Sequence, residues 1–529
     1  MPKKPIFVLQ GRIVTMLSQQ DIIEDGFLAI EDCMITGIAK TLQELPDGFS
    51  QAPVISTGGT IYPGLIDLHN HFAYNFFPLW VVPSRFDNRG QWRNLDEYKS
   101  LVQAPAAKLA KFSVTAKAMM RYVEAKAIIG GTTTGQGIGT KVTGVTKIYD
   151  GAMRNVEIPG DARLKACGTN VNDMKNEPTE IERFRKMLND ENIGFFFHHL
   201  SEGVDDDSHQ HFLNLKDNRL INNKLVGIHS LGLNRDDLDY MFKQNAKIVW
   251  SPLSNTILYG KTLNLHDLKE SGVLFCLGCD WTPSGSKNLL EELKVAKFYS
   301  VEQCNIFSDY ELAAMVTSDA AKVTGWQDYL GTLGNGKIAD LLVLNGTTKN
   351  PYLQLIEATE KDIDLVVIDG IARYGTQINM KALHFDLNNR FEKTNIAERP
   401  MGIYMYSESS EINNIGFADA VNTLKEAMQD LPNFVAKMES HAYKSLALVG
   451  EIFQDFQIIM DMDAHEHQQD NAGDEEKNYE LWNDIDPLLL PESIEFDDPT
   501  AFGDLYWSRF NNQPNLSPAL KQWIGSFYQ

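Results

Sequence analysis

The sequence predicts an α/β protein: a (β/α)8 barrel of the TIM type, flanked by short strands and followed by a mainly helical extension. Three observations point to it. Apolar runs that end in a polar residue recur along the chain, closing on His69 and His71, His199, His229 and Asp280. His199 and His229 lie about 30 residues apart, roughly one strand-helix-strand repeat, and Asp280 follows after about two more, with Ile248-Val249-Trp250-Ser251 as the strand between. In a barrel of parallel strands the C-terminal strand ends form the active-site face, and that is where these polar residues fall. The third observation is capacity, because 529 residues, 43% of them hydrophobic, can bury a barrel of about 250 residues with additions.

Residues 5 to about 60 alternate in short strands with Gly and Asp turns. The first barrel strand closes Gly64-Leu65-Ile66-Asp67-Leu68-His69-Asn70-His71. Alternate residues of a strand face one side, so His69 and His71 project together while Asn70 points away. The stretch from His71 to Thr132 is long for a single connection. It holds Tyr74, Trp80, Arg85, Arg89, Trp92 and Arg93, which either clamp an anionic or planar substrate or pack as a lid on the barrel rim. Gly130-Gly131-Thr132-Thr133-Thr134 supplies the second strand, and the third and fourth are expected near Arg154 to Ile158 and Ala162 to Val171.

The fifth strand, Gly194-Phe195-Phe196-Phe197-His198-His199, turns only one of its two histidines inward, and the spacing to Glu202 assigns that place to His199. Leu225-Val226-Gly227-Ile228-His229 and the run from Val273 to Asp280 repeat the design, with Cys276 and Cys279 read as small core residues. Beyond Asp280 come Trp281 and Lys287. The lysine either meets substrate or caps a helix from Asn288 to Tyr299. Residues 335 to 380 return to short strands, with Asp364-Leu365-Val366-Val367-Ile368-Asp369-Gly370 as strand and turn.

The tail from 381 to 529 carries 10 basic and 26 acidic residues and so supplies most of the net charge of −23. Leu424, Met428, Leu431, Val435 and Met438 recur there at helical intervals. His465-Glu466-His467 is another His-x-His, but no apolar strand precedes it and it reads as a solvated loop.

On the ordered histidines and Asp280, with Ser251-Pro252-Leu253-Ser254-Asn255 after the seventh strand and the segment Leu333 to Leu344, the chain resembles the amidohydrolase superfamily. The branch is that of cytosine, guanine and adenosine-derivative deaminases and triazine hydrolases, and the likeness runs from about the N-terminus to about residue 380. It implies one divalent ion, zinc ahead of iron, held by His69, His71, His199 and Asp280, with His229 and Glu202 working on water and substrate. It also implies that residues 1–60 and 335–380 pair into one discontinuous β-sandwich domain beside a hydrolase barrel of residues 61–334, leaving 381–529 as an acidic, mainly helical extension. Two-metal members bridge their ions with a carboxylated lysine ending the fourth strand. Lys165 precedes the apolar centre of that strand here, so a single ion is expected. The segment Trp281 to Asn288 departs from the Ser/Asn-rich one of the aromatic deaminases.

The residue chemistry agrees with these roles. Neutral imidazoles and one carboxylate leave a divalent ion with net positive charge, which lowers the pKa of a bound water toward neutrality. Asp280 can both ligate and accept the water's proton. Glu202, in the turn after His199, can carry a proton between water, ring nitrogen and leaving amine, and His229 can hold the attacked oxygen. The expected reaction is hydrolysis of a C–N bond. Deamination of a heterocyclic or amidine-like small molecule comes first and hydrolysis of an amide or cyclic amide second. A metal-binding scaffold without turnover is a reading of another class, against which the intact Glu202 argues. A net charge of −23 argues against nucleic acid as a partner, since phosphate contacts need clustered Lys and Arg. No apolar run reaches about 18 residues, and Met1-Pro2-Lys3-Lys4-Pro5 leads into a strand, so neither membrane span nor signal peptide is expected. Five scattered cysteines form no disulfide framework. A cytoplasmic protein acting on a small molecule is expected, with a homo-oligomer left open.

Overall fold

The computed structural model describes residues 6–137, 141–142, 151–384, 391–408, 410–449, 456, 458–460 and 489–528. His465 and His467 lie outside them. Two sheets of parallel strands carry the strand-end residues. A three-stranded sheet orders Leu65–Asp67, Thr132–Gly135 and Arg154–Asn155, and a five-stranded sheet orders Gly168–Asn170, Phe196–Leu200, Leu225–His229, Lys247–Trp250 and Leu274–Leu277. Side chains alternate across each strand. One parity gathers Ile66, Val156, Phe197, Val226, Ile228, Val249 and Cys276 from both sheets into one buried cluster that also takes in Trp326, Leu330 and Ile338. The other parity, including Phe196, Leu225, Ile248 and Leu277, packs in the larger core with the helices. Backbone hydrogen bonds join the sheet edges at both sides, Asp280 N to His69 O at 2.8 Å and Cys167 N to Val156 O at 3.1 Å.

The third and fourth strands are shorter than expected. Asn155 Oδ1 accepts from the backbone N–H groups of Glu157 and Ile158, and this turn ends the strand at Asn155. Residues 161–164 are likewise taken by a turn, with Leu164 N donating to Asp161 O and Arg163 N to Asp161 Oδ1, so the fourth strand begins only at Gly168. Lys165 is exposed and precedes it.

The flanking strands form a separate nine-stranded sheet, in which Val54–Pro63 pairs antiparallel with Leu341–Leu344, from Leu341 opposite Pro63 to Leu344 opposite Thr60. All nine strands are hydrogen-bonded in one sheet. It also recruits Glu392–Ile396 and Arg399–Ile403 from the part expected to be mainly helical. Their two-residue turn places Ala397 and Glu398 at φ 48° and 65°, without the Asn or Gly that normally advertises such a hairpin. Helices follow at Phe417–Gln429, Leu431–Val449, Asp504–Asn511 and Pro518–Tyr528, with Leu424, Met428, Leu431 and Val435 buried as their spacing suggested. The long connection after His71 is largely helical, including Ala104–Lys111 and Ser113–Ile129. Among the described residues no helix is long and apolar enough to cross a membrane.

Candidate metal centre

The parallel strands bring His69, His71, His199, Glu202, His229 and Asp280 together, each at most 5% exposed. His199 Nε2 stands 3.2 Å from the Nε2 atoms of both His69 and His71. Asp280 Oδ1 stands 3.5 Å from His69 Nε2 and 3.6 Å from His71 Nε2. Four donors on metal bonds of about 2.0–2.1 Å stand about 3.3 Å apart at tetrahedral angles, so this set of three nitrogens and one oxygen fits one ion of that kind. Burial first, and the neighbouring imidazoles second, hold His69 and His199 well below the ordinary histidine range. Their rings are therefore neutral near pH 7, with lone pairs free to coordinate. Burial pushes the Asp280 carboxyl up, while His229 and His71 oppose that shift.

Backbone geometry contributes to the convergence. His229 and Asp280 adopt φ of 62° and 63°, a sparsely populated region for residues with side chains, which turns them off the line of their strands. Gly278 lets the eighth strand approach the first, because a Cβ there would meet His69 Cβ at 2.4 Å. Asp67, buried and pushed up to about 6 by that burial, accepts from Cys279 N at 3.1 Å and Asn70 Nδ2 at 3.0 Å, tying the two strand ends together.

One short helix, Pro252–Tyr259, together with its N-cap residue Ser251, holds four of the site residues in place. Ser251 Oγ lies 2.7 Å from His69 Nδ1, Ser254 Oγ donates to Asp280 Oδ2 at 2.5 Å, Asn255 Oδ1 lies 2.9 Å from His229 Nδ1, and Tyr259 OH donates to Glu202 Oε1 at 2.7 Å. A neutral imidazole whose Nε2 lone pair faces inward carries its proton on Nδ1, so Ser251 and Asn255 are the acceptors that orient those rings. The sequence assigned no role to any of the four. The signal was present in their spacing of three and four residues, which is one helix face.

The other candidates separate. Arg89 is buried and donates to Glu202 Oε2 at 3.3 Å, to Val171 O at 2.6 Å and to Asp173 Oδ2 at 2.5 Å. Trp92 Nε1 donates to Tyr259 OH at 3.0 Å. The Trp281 ring lies 5.7 Å from His71, 5.0 Å from Tyr74 and 6.1 Å from Trp92, so the insertion and the segment after Asp280 build one aromatic wall beside the histidines. Arg85 instead is exposed, its side chain running past Gly260. Lys287 is buried and directed to the extension rather than to the helix end. Its amine pairs with Asp497 at 2.9 Å and donates to Asp498 O and Thr500 O, while Asn288 caps the helix Leu289–Glu302. His198 faces away from the cluster, with Nδ1 3.2 Å from Asn170 O and its ring against Phe184. Cys276 and Cys279 are buried free thiols.

The chain is similar to known proteins along most of its length. A 5-methylthioadenosine/S-adenosylhomocysteine deaminase of Desulforamulus reducens is 24% identical over 405 residues, covering 69% of this chain and 92% of the relative. One of Desulfitobacterium hafniense is 21% identical over 404 residues, with the same coverage. Among solved structures, an adenosine deaminase from Xanthomonas campestris with bound zinc superposes at a TM-score of 0.52 with 16% identity, over 74% of this chain and 99% of that one. An atrazine chlorohydrolase from Arthrobacter aurescens complexed with zinc gives 0.53 with 15% identity, over 72% and 99%. These likenesses show a shared fold. The family model of the amidohydrolase family matches residues 60–372, a span that holds all six converging residues, and the chain therefore belongs to this family of metal-dependent hydrolases of C–N bonds.

Proposed function

We propose that this chain is a hydrolytic deaminase of an amino-substituted heterocycle, using one divalent ion, zinc ahead of iron, held by His69, His71, His199 and Asp280. The observation that carries the reading is the four-donor set with Glu202 and His229 beside it, His229 Nε2 lying 3.7 Å from Glu202 Oε2 and 3.9 Å from Asp280 Oδ2. The ion supplies Lewis acidity that readies a water for attack. Asp280 and Glu202 take up the two protons of the water in turn, and Glu202 delivers one to the ring nitrogen and the other, handed on from Asp280, to the departing amine, while His229, steadied through Nδ1 by Asn255, turns Nε2 toward the oxygen that adds to the ring carbon. The new C–O bond replaces the C–N bond, and ammonia leaves. Tyr74, Trp92 and Trp281, their rings inclined to one another, offer a planar heterocycle an aromatic wall. The deaminase names of the relatives support the same reaction, and exposed Lys165 supports a single ion.

The catalytic unit is residues 61–334, and its two parallel sheets are arcs of one (β/α)8 barrel. The edge hydrogen bonds at Asp280 and Cys167 and the shared inward cluster support that closure. Residues 1–60 and 335–380 supply the small β domain and 381–529 the extension. The test is ammonia release from a panel of aminopurine nucleosides, aminopyrimidines and aminotriazines, set against carboxylate release from linear and cyclic amides. Turnover confined to the amides would replace deamination with amide hydrolysis, and turnover of neither would favour a binding protein.

A further inference from the structure

The acidic extension lies beyond the residues that the family model matches, yet part of it reaches the metal-ligand loops. Asp497 is buried between two lysines of the hydrolase unit, Lys126 Nζ at 2.7 Å from one carboxylate oxygen and Lys287 Nζ at 2.9 Å from the other, all three side chains at most 2% exposed. Lys126 uses its remaining donors on Asn75 O at 2.9 Å and Thr282 Oγ1 at 2.7 Å. Those two residues follow the first and eighth strands. They are bonded to each other, Thr282 N donating to Asn75 Oδ1 at 2.9 Å. Asn75 Nδ2 in turn donates to Asn70 Oδ1 at 2.9 Å, and Asn70 stands between His69 and His71. Thr282 is two residues past Asp280. A continuous set of hydrogen bonds thus runs from one carboxylate of the extension to both loops that carry metal-ligand candidates. The backbone supports the same docking, with Asp497 N donating to Phe76 O and Tyr122 OH to Asp497 O.

We propose that Asp497 is a positioning residue of the metal centre: through Lys126 it fixes the loops after the first and eighth strands so that His69, His71 and Asp280 hold their mutual spacing. The proposal rests on the ligand assignment above. Its physical basis is that a buried ammonium without a counter-charge is costly, so the lysine can anchor two loops at once only while the carboxylate is present. A ligand cage loosened by a fraction of an ångström holds its ion less well.

The experiment uses full-length protein loaded with zinc and follows metal transfer to a chelator, together with the thermal transition of the metal-free form. Asp497→Asn keeps the shape and removes the charge, and should release zinc at least tenfold faster, with kcat reduced and KM little changed. A triple variant, Lys126→Met, Lys287→Met and Asp497→Leu, removes all three charges together, a replacement that is often neutral for stability. It should have a metal-free transition near that of the parent and still release zinc at least tenfold faster. Thr282→Val cuts a single bond of the network in a protein whose charges are intact, and should accelerate release several-fold. Zinc release at the parental rate in the triple variant, or in Thr282→Val if the charge variants do not fold, would overturn the proposal. Failure of the ligand assignment reads differently, because His69→Ala would then retain zinc.

Discussion

Glu202→Gln separates a proton-transferring carboxylate from a structural one or a metal ligand. Both Glu202 oxygens are engaged, Oε1 by Tyr259 OH at 2.7 Å and Oε2 by Arg89 Nη1 at 3.3 Å. A glutamine can keep this geometry if its carbonyl faces Arg89 and its amide N–H donates to the Tyr259 oxygen, which can accept. Arg89 keeps Asp173 and Val171 O, so its charge is not orphaned and the stability cost should be that of one charge-assisted bond, about 1.5–3 kcal/mol. What glutamine cannot do is accept a proton. Loss of general acid–base transfer lowers turnover by about two to four orders of magnitude, or about 2.7–5.5 kcal/mol in the barrier. The assay is steady-state ammonia release with elemental analysis of the same sample. Full metal content with turnover reduced at least a hundredfold is expected. Full metal content with unchanged kcat/KM would refute the proton-transfer role, and lost metal would make Glu202 a ligand.

Four further outcomes follow from the same geometry. His69→Ala and Asp280→Ala each remove one of four donors and should leave protein without bound metal by elemental analysis, whereas one equivalent retained in both would break the ligand assignment. His199→Ala should also lose metal, while His198→Ala should keep it and lose about 2–4 kcal/mol of stability, because it empties a packed space against Phe184 and Phe196. Chelation should abolish activity and lower the thermal midpoint, and added zinc should restore both, since an ion that binds only the folded chain stabilises it; a midpoint indifferent to chelator contradicts a bound ion. Burial pushes Glu291 up to about 7 from an ordinary 4.5. The folded chain then holds a proton that the unfolded chain has released, so the stabilisation is complete below about 4.5 and is lost as pH rises through 7. Glu291→Gln should therefore leave the midpoint unchanged at pH 4 and raise stability at pH 8 by up to about 3 kcal/mol, and an equal shift at both pH values would contradict this.

The sequence by itself determined the converging residues. His69, His71, His199, His229 and Asp280 each end an apolar run, and a barrel's repeat length puts such strand ends on one face; the inward turn of His229, which has the parity of outward Leu225, comes from its φ of 62° and is not legible in the sequence. A strand's two-residue period separated His199 from His198, and helical spacing in the tail marked Leu424, Met428, Leu431 and Val435 as buried. Only the tertiary structure decided what holds these residues. Helix Pro252–Tyr259 and the Ser251 that precedes it supply a partner to each of His69, Asp280, His229 and Glu202, and those pairings join residues up to 182 positions apart, beyond the reach of any local pattern. Local chemistry hid other features. Asx-type turns at Asn155 and Asp161 shortened two strands whose hydrophobicity promised more, and a hairpin turned at Ala397 and Glu398 without its usual residues. Arg85 and Lys287 show the remaining reason. A long cationic side chain can reach in several directions from one backbone position, so its sequence neighbours do not say whether it meets solvent, substrate or, as Lys287 does, a carboxylate 210 residues further along the chain.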